Sequence, residues 1–377
     1  MKISVVKQDN YNYSEIKDAL LNTFRNLGGV DKFIGEGDRI LLKPNLLMKK
    51  TPEESTTTHP SIIKALSEII VENGGSVLIG DSPGGPFIKP MLSTIYKSTE
   101  MDSSLSIEGV ELNYNLNSYT KNFKGKILND ILLVDMINDV DKIINVSKLK
   151  THGFAVFTGA VKNLFGLVPG TKKAEYHVKM PDINDFANSL IDICECTKPV
   201  LHVMDGIYAM EGAGPSSGTS RHLGLILASE DPHALDYTAC HVIGLKTDEV
   251  PTLRKAIERG LLKEFDLNEY LVGDEIEGTF VKDFKKAPAN SGNLRNIPKP
   301  IMNFLVDKLK SKPIFDHDIC IGCGDCARSC PPVAIEMIDN KPIVDYEKCI
   351  SCFCCQELCP VSAVSIKKPL LAKLIFK

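Results

Sequence analysis

Two cysteine runs near the C-terminus share one spacing, and this spacing constrains the fold more than any other feature of the chain. Both read Cys-x2-Cys-x2-Cys-x3-Cys-Pro, and they end at Pro331 and Pro360. Three thiolates spaced in this way can curl a short loop around a small inorganic core, while a fourth must come from elsewhere. The runs are Cys320, Cys323, Cys326 and Cys330, and then Cys349, Cys352, Cys355 and Cys359.

This spacing resembles that of bacterial two-cluster ferredoxins, in which each run lends its last cysteine to the other run's cluster. The resemblance implies a small α+β ferredoxin-like domain with two [4Fe–4S] clusters over residues 311–369, built from repeats of about 311–340 and 341–369. Gly322 and Gly324 are expected where the backbone passes close to a cluster. The implied ligands are Cys320, Cys323, Cys326 and Cys359 for cluster 1, and Cys349, Cys352, Cys355 and Cys330 for cluster 2.

Two other uses of these cysteines fit the pattern less well. Zinc accepts four thiolates, but its sites usually combine two well-separated Cys-x2-Cys pairs. Disulfides require an oxidising compartment, and the polar start of the chain from Met1 to Lys7 does not resemble a signal peptide. Cys354, a further cysteine in this region, is expected to be an unligated, packed thiol.

Composition limits the classes of protein that this chain can belong to. Its 377 residues are 43% hydrophobic and 24% charged, with a net charge of −4, which is ordinary for a globular protein. Two anionic clusters would make the charge more negative, so nucleic acid is not expected as a partner. No apolar run is long enough to cross a bilayer, and we therefore expect a cytoplasmic protein, from an anaerobic or microaerobic host because exposed clusters are sensitive to oxygen.

The first part of the chain, residues 1–284, alternates apolar runs with helical patterns and predicts an α/β domain with a largely parallel sheet. A turn-rich linker is expected at 285–310, with a short helix at 301–309, and a tail at 370–377. The expected strands are Lys2–Val6, Arg39–Leu42, Ser76–Ile79, Lys142–Val146, Val200–Met204 and Leu223–Ala228. The expected helices are Ser14–Leu27, Pro60–Asn73, Asp182–Cys196 and Pro232–Ile243.

Polar segments follow five of these strands. Because ligands of open α/β sheets bind outside the carboxyl ends of the strands, the segments predict a site at that edge. The cations there favour an anionic carboxylate or phosphate ligand, although charges on solvated loops are the alternative. The cations are Lys43, Lys148, Lys150, His152, Lys162, Lys172, Lys173 and His177, and acids that could pair with them or transfer protons are Asp81, Asp205 and Asp231.

Several of these segments together resemble the domain-of-unknown-function 362 family, whose members are often fused to a two-cluster ferredoxin. The resemblance covers roughly residues 35–245 and leaves the reaction open. It implies that Lys148, Lys150, His152, Lys162, Asn163 and Asp236 belong to a site. It rests on Lys43-Pro44-Asn45, Thr58-His59-Pro60, Gly80-Asp81-Ser82-Pro83-Gly84, Lys148-Leu149-Lys150-Thr151-His152, residues 158–166 and residues 231–236.

The sequence therefore predicts an iron–sulfur electron-transfer protein that delivers low-potential electrons, received from a redox partner protein, to a small anionic substrate or partner. Lys148, Lys150, His152, Lys162 and Asp81 are the expected catalytic residues. This makes the chain a possible oxidoreductase of unknown substrate. The alternative is a redox sensor or a cluster-maturation factor without turnover of its own, although a sensor would more often have an incomplete ligand set.

Overall fold

The computed structural model describes residues 1–276, 280–287, 311–367 and 369. The expected helix at 301–309, the tail at 370–377 and most of the expected linker lie outside the described residues. Within them, no helix is both long and apolar enough to cross a bilayer. The helices are α1 (Tyr13–Leu27), α2 (Pro60–Glu72), α3 (Lys89–Ser98), α4 (Ala160–Asn163), α5 (Lys172–Lys179), α6 (Ile183–Thr197), α7 (Pro232–Val242), α8 (Pro251–Glu258), α9 (Asp325–Arg328) and α10 (Cys354–Glu357).

The strands agree with the six expected ones in place and add nine more among the described residues. They are β1 (Ile3–Lys7), β2 (Arg39–Pro44), β3 (Ser76–Ile79), β4 (Val110–Leu112), β5 (Ser118–Asn122), β6 (Asp130–Val134), β7 (Lys142–His152), β8 (Val156–Thr158), β9 (Leu201–Glu211), β10 (Thr219–Ser229), β11 (Leu271–Gly273), β12 (Lys312–Phe315), β13 (Ile335–Ile338), β14 (Lys341–Val344) and β15 (Val364–Lys367).

One large sheet organises the N-terminal domain. Its strands lie in the order β11-β1-β10-β9-β7-β2-β3-β4, with β8 paired to β7 at the side. Five of the eight described pairings are parallel and three are antiparallel, so the expectation of an α/β domain with a mostly parallel sheet is confirmed. The antiparallel pairings all involve β10 or β8.

Helices cover both faces of this sheet. Successive residues of β2 point to opposite sides, because Leu41 belongs to one buried cluster and Ile40 and Leu42 to the other. Helices α1, α2 and α3 pack on the Ile40 side, and α4, α6, α7 and α8 pack on the Leu41 side. The result is a three-layer domain whose two hydrophobic cores are separated by the sheet.

Strands β7 and β9 continue well beyond the residues where the sequence pattern predicted their ends. We expected β7 to stop at Val146, but it runs on to His152, where β8 pairs with its last residues. The polar segment from Lys148 to His152 is therefore a buried part of the sheet and not a loop. A polar run lacks the apolar pattern of a strand, and only the packing around it could reveal that its backbone is paired.

The C-terminal domain has two halves that repeat in backbone conformation as well as in sequence. The short hairpin β13–β14 connects the two halves, and β12 at the start of the first half pairs with β15 at the end of the second. Gly324 lies at a φ of 75°, and Phe353, 29 residues later, lies at 63°. Gly322 (71°) and Ser351 (56°) form another such pair. Glycine is therefore not obligatory at these positions, since the second half holds ordinary residues in the left-handed region.

The two domains are in direct contact. The Gln356 side-chain amide donates to the backbone oxygen of Ala213 at 2.8 Å. At a second contact, Gly84 packs against Leu358, and a Cβ at Gly84 would lie 2.5 Å from the Leu358 Cδ2 atom. Both α10 and the residue that follows it therefore lie on the N-terminal domain.

Candidate functional site

A cavity of about 200 Å³ lies between the two domains. The N-terminal side of its lining comes from the ends of β2, β3, β7 and β8 and from α4 and α5, so the site is at the carboxyl edge of the sheet. The C-terminal side comes from α9, α10 and the residues next to them. The polar residues that matter below are Lys43, Asp81, Lys150, Thr158, Lys162, Lys173, His177, Arg328, Cys330, Cys354 and Glu357.

Lys43 and Asp81 form a closed ion pair at the floor of the cavity. The Lys43 ammonium is fully buried and lies 2.8 Å from the Asp81 Oδ1 atom. Its remaining protons go to the Pro44 oxygen at 2.8 Å and the Asn163 Oδ1 atom at 3.1 Å. The other Asp81 oxygen accepts from the Leu46 backbone at 2.8 Å. Every donor of Lys43 is used, and Asp81 is held by its neighbours.

Gly166 lets this pair form. A Cβ at Gly166 would overlap the Asp81 carboxylate and lie 2.5 Å from the Lys43 Nζ atom. Since neither buried side chain can move away without losing its partners, the position requires glycine. Asp81, which the sequence suggested as a catalytic acid or base, is thus engaged in a structural ion pair beside the cavity.

Lys150 is buried without a carboxylate partner. Its ammonium donates to the Asn45 Oδ1 atom at 2.8 Å and to the Thr56 backbone oxygen at 2.6 Å. Both acceptors are neutral, and no carboxylate of the described residues forms an ion pair with it. Burial lowers the pKa of Lys150 well below its usual value, and the neighbouring Lys162 lowers it further. One donor of Lys150 is left for a ligand of the cavity, and a bound anion would favour the protonated ammonium.

Lys162 and Lys173 add two more cations. In the part of the chain that the structure describes, the Lys162 ammonium has no hydrogen bond or ion pair, and it lies 6.0 Å from the centre of the Phe165 ring. Lys173 donates to the backbone oxygens of Ser82 and Pro83. Burial lowers the pKa of Lys173 to about 7. Among the described residues, no carboxylate lies within hydrogen-bonding distance of the Lys150, Lys162 or Lys173 amino groups that line the cavity.

Two buried polar atoms in the lining lack a partner among the described residues. They are the Thr158 hydroxyl and the His177 Nδ1 atom, and their residues are 2% and 5% exposed. His177 stacks on Phe186 with ring centres 4.6 Å apart, and burial lowers its pKa to about 3, so the imidazole is neutral. Unsatisfied buried polar atoms are costly, and two of them beside one cavity indicate a ligand.

His152 lies behind the cavity and faces the C-terminal domain. Its Nδ1 atom accepts hydrogen bonds from the backbones of Phe154 (3.0 Å) and Ala155 (3.1 Å), which places the proton on Nε2. The Nε2 atom is 3.8 Å from the Glu357 carboxylate, too far for a hydrogen bond. Burial lowers the pKa of His152 well below its usual value. His152 therefore offers a neutral imidazole that faces Glu357.

Lys148 belongs to a separate cluster. Its ammonium lies 2.8 Å from the Asp205 Oδ2 atom and 2.9 Å from the Tyr11 hydroxyl. The Tyr11 ring stacks on His59 at 3.5 Å, and the His59 backbone donates to Asp205 at 3.0 Å. Lys148 does not line the cavity. Although it is only two residues from Lys150 on β7, the strand bulges between them and the two side chains have different partners.

Asp236 holds the short helix that carries Lys162. Its carboxylate accepts from the backbone of Ala160 at 2.6 Å and from that of Val161 at 3.1 Å, at the start of α4. Burial raises the pKa of Asp236 to about 7, and these two hydrogen bonds oppose the rise. The residue therefore acts on the cavity through the placement of α4.

The eight cysteines of the two runs fall into two groups that mix the runs. A small cavity of about 20 Å³ is lined by Cys320, Cys323, Cys326 and Cys359. In the other group, burial raises the pKa of Cys330, and the thiols of Cys352 and Cys349 are near enough to raise it further. Cys330 also lines the cavity between the domains. Cys355 lies near Cys330, Cys349 and Cys352 as well. Each group thus contains four cysteines drawn from both runs, which is the number and type of donor that a [4Fe–4S] cluster requires.

Sequence patterns gave no sign of several residues in this lining. Arg328 and Glu357 were not singled out, because a charge on a short element has no periodic pattern that marks it. Thr158 entered only as the first residue of a segment that carries the family resemblance, without a role of its own. Cys354 was noticed but was given no role, and it lines the cavity next to the cysteine runs. What would have revealed them is the docking of the two domains, which no local pattern describes.

Comparisons with known proteins agree with both domains. The family described as "Domain of unknown function (DUF362)" matches residues 40–241, and a 4Fe-4S dicluster domain matches residues 312–360. The thylakoid-associated protein sll1697 of Synechocystis is 33% identical over 260 residues, which is 69% of this chain and 79% of that protein. Iron–sulfur clusters and a ferredoxin-like domain are thereby supported.

Solved structures are only distantly similar. The lactate racemase apoprotein of Thermoanaerobacterium thermosaccharolyticum aligns with a TM-score of 0.43 and 12% identity, over 64% of this chain and 58% of that one. A Thermotoga maritima protein solved by structural genomics aligns with a TM-score of 0.35 and 14% identity, over 54% and 52%. This chain thus spans less than two thirds of either structure, and no activity is inferred from them. The family match and the identity to the Synechocystis protein place the chain in the DUF362 family, here joined to a C-terminal 4Fe-4S dicluster domain.

Proposed function

We propose that this protein transfers electrons from two [4Fe–4S] clusters in its C-terminal domain to a small anion bound between the domains. The observation that carries the proposal is the shared lining of one cavity. Three lysines without carboxylate partners, Lys150, Lys162 and Lys173, lie on one side of it, and the cysteine Cys330 lies on the other. A redox partner protein would supply the electrons.

The ligand sets follow the two groups of cysteines. When bound, the clusters supply single-electron transfer at low potential. The backbone N–H groups of Ala334 and Ala363 each donate to a cysteine sulfur at 3.2 Å, and such bonds favour the thiolate form. Cluster 1 would be held by Cys320, Cys323, Cys326 and Cys359, and cluster 2 by Cys349, Cys352, Cys355 and Cys330.

The charge of the cavity sets the class of ligand. Among the described residues that line the cavity, two carboxylates accompany the three lysines: Asp81, which is paired with Lys43, and Glu357, which is in no close ion pair. Carboxylate or phosphate groups would balance the excess positive charge. The cavity volume of about 200 Å³ is large enough for several water molecules. The ligand is therefore a small metabolite-sized anion.

Two cysteine variants test the ligand assignment. Protein purified without oxygen should contain iron and sulfide, and its reduced form should give the EPR signal of interacting [4Fe–4S] clusters. Cys359→Ser removes a proposed ligand of cluster 1 and should lower the iron content by up to about half. Cys354→Ser is the matched control and should leave the iron content unchanged. Zinc in place of iron would refute the assignment.

Reoxidation of the reduced protein tests the reaction. Chemically reduced protein is mixed anaerobically with members of a set of small carboxylates and phosphates, and cluster absorbance is followed. A functional substrate should reoxidise the clusters and be recovered in a reduced form. If anions bind but none of them reoxidises the clusters, the protein is better explained as a redox sensor or maturation factor. If none binds, the cavity is not an anion site.

A further inference from the structure

We propose that anion binding between the domains and reduction of the cluster held by Cys330, Cys349, Cys352 and Cys355 are thermodynamically linked through Lys162. An anion in the cavity would lower the reduction potential of this cluster, and reduction of the cluster would weaken anion binding. This inference rests on the proposed function and adds that anion binding and cluster reduction regulate each other.

The second cysteine group, which contains Cys330, lies next to the cavity between the domains. Cys330 lines the same cavity as Lys162, and Cys354, whose neighbour Cys355 belongs to the group, lines it as well. The first group lies differently, because Cys323 is exposed and lines only the small cavity within the C-terminal domain. A charge in the cavity between the domains therefore acts mainly on one of the two clusters.

The charge of Lys162 is available to act on this cluster. Lys162 has no hydrogen bond or ion pair within the described residues, so its positive charge is not neutralised by a bonded carboxylate. A nearby positive charge favours the addition of an electron to an anionic cluster and raises its potential. A bound anion cancels that charge, and the potential falls. Because linkage is reciprocal, the reduced protein must bind the anion more weakly than the oxidised protein by the same free energy.

The linked step involves one electron and no chemical change in the anion. An external reductant such as dithionite donates the electron, which resides on the cluster, and the anion only binds or dissociates. In this form the linkage can be measured with an anion that is not a substrate. Sulfate is suitable because it is not reduced under these conditions and remains a dianion across the neutral pH range.

The test is a redox titration of the full-length holoprotein followed by EPR, with and without sulfate, in chloride buffers of equal ionic strength. One of the two midpoint potentials should fall when sulfate is present, and the other should stay in place. Tenfold tighter binding to the oxidised form corresponds to a shift of about 59 mV for a one-electron couple. Lys162→Met should lower the same midpoint in the absence of sulfate and should weaken the response to sulfate.

Two further variants separate charge from packing. Lys162→Arg keeps the charge and should preserve the response, with the iron content of each variant confirming an intact cluster domain. Lys179→Met removes an exposed charge of α5 and should change neither potential. If calorimetry shows that sulfate binds but neither potential moves, the linkage is refuted while the anion site stands. If sulfate does not bind, the anion site and the linkage both fail.

Discussion

Lys43 and Lys150 are both completely buried at the same edge of the sheet, yet their ammonium groups have different kinds of partner. Lys43 has a carboxylate at 2.8 Å and uses its remaining donors within the protein. Lys150 has two neutral oxygen partners and no carboxylate among the described residues. A buried charge without a partner is costly. At this edge of the sheet, paired lysines therefore hold the fold, while unpaired ones are available to a ligand.

The same division holds within a single strand. Lys148 and Lys150 are two residues apart on β7, but Lys148 is neutralised by Asp205 and lies outside the lining of the cavity. The cysteine runs show a related contrast, since Cys323 is exposed while Cys352 and Cys355 are buried. In each case equivalent residues in the sequence have different surroundings, and the difference assigns them different roles.

Breaking the ion pair between Lys43 and Asp81 is expected to have the largest effect, and the effect is on stability. Lys43→Met leaves the Asp81 carboxylate buried without its cation and should lower the free energy of unfolding by about 3–5 kcal/mol. Anaerobic urea unfolding followed by circular dichroism measures this loss. Replacing both residues, as in Lys43→Met with Asp81→Leu, should recover part of it. A single variant as stable as the wild type would show that the pair is not structural.

Lys150→Met should have its main effect on the ligand. Loss of one charge-assisted hydrogen bond removes about 1.5–3 kcal/mol, which corresponds to a roughly 10- to 100-fold weaker affinity. Isothermal titration calorimetry with sulfate under anaerobic conditions measures the change. Lys172→Met, an exposed lysine on α5 that pairs with Glu175, is the matched control and should bind as the wild type does. If wild type and Lys150→Met bound sulfate equally well, a buried lysine without a carboxylate partner would not be a ligand-binding group.

A smaller effect should come from pH through Lys173. Burial lowers its pKa to about 7; Asp81 and Glu357 oppose this shift. The cations Lys43 and Lys162 add to it. As pH rises through 7, Lys173 loses its proton, and sulfate affinity should fall about three- to tenfold between pH 6 and pH 8. Calorimetry at several pH values tests this, since sulfate itself does not titrate there.

The control for this pH dependence is Lys173→Met, in which the change of affinity across the same range should be nearly absent. The effect of Lys173 on stability has the opposite sign: the free energy of unfolding increases with pH, whereas the sulfate affinity decreases. Because the folded-state pKa of Lys173 lies below that of the unfolded chain, the unfolded chain binds more protons between pH 7 and about 10.4. This group therefore makes the free energy of unfolding rise with pH in that window. A pH profile of affinity that is unchanged in Lys173→Met would assign the dependence to another group.

The smallest effect is expected at the rim. Arg328 lines the cavity, but it is exposed and pairs with Asp325. Solvent screens such a pair, so Arg328→Met should weaken sulfate binding by no more than about twofold. The same calorimetric titration measures it. If Arg328→Met lost as much sulfate affinity as Lys150→Met, burial would not distinguish a cation that binds the anion from one at the rim.

The sequence was informative wherever a pattern is local. The expected helix at Asp182–Cys196 is found at Ile183–Thr197, because its apolar residues recur with helical spacing. The strand expected at Ser76–Ile79 has those bounds. The continuation of β7 to His152 was missed, since its polar residues are buried by contacts with distant segments. Of the six residues that the family resemblance implied, Lys150, Lys162 and Asn163 line the cavity, while Lys148, His152 and Asp236 do not.

Spacing and periodicity are properties of neighbouring residues, so the sequence alone predicted the family, the ferredoxin-like repeat and the order of the main strands and helices. Which lysines are neutralised depends instead on contacts between residues that are distant in the chain. Asp81 is 38 residues from Lys43 in the chain and Asp205 is 57 residues from Lys148, while Lys150 meets no such partner in the part of the chain that the structure describes. Tertiary structure also placed Cys330 against the N-terminal domain, since the docking of two folded surfaces depends on shape and charge that no stretch of sequence contains.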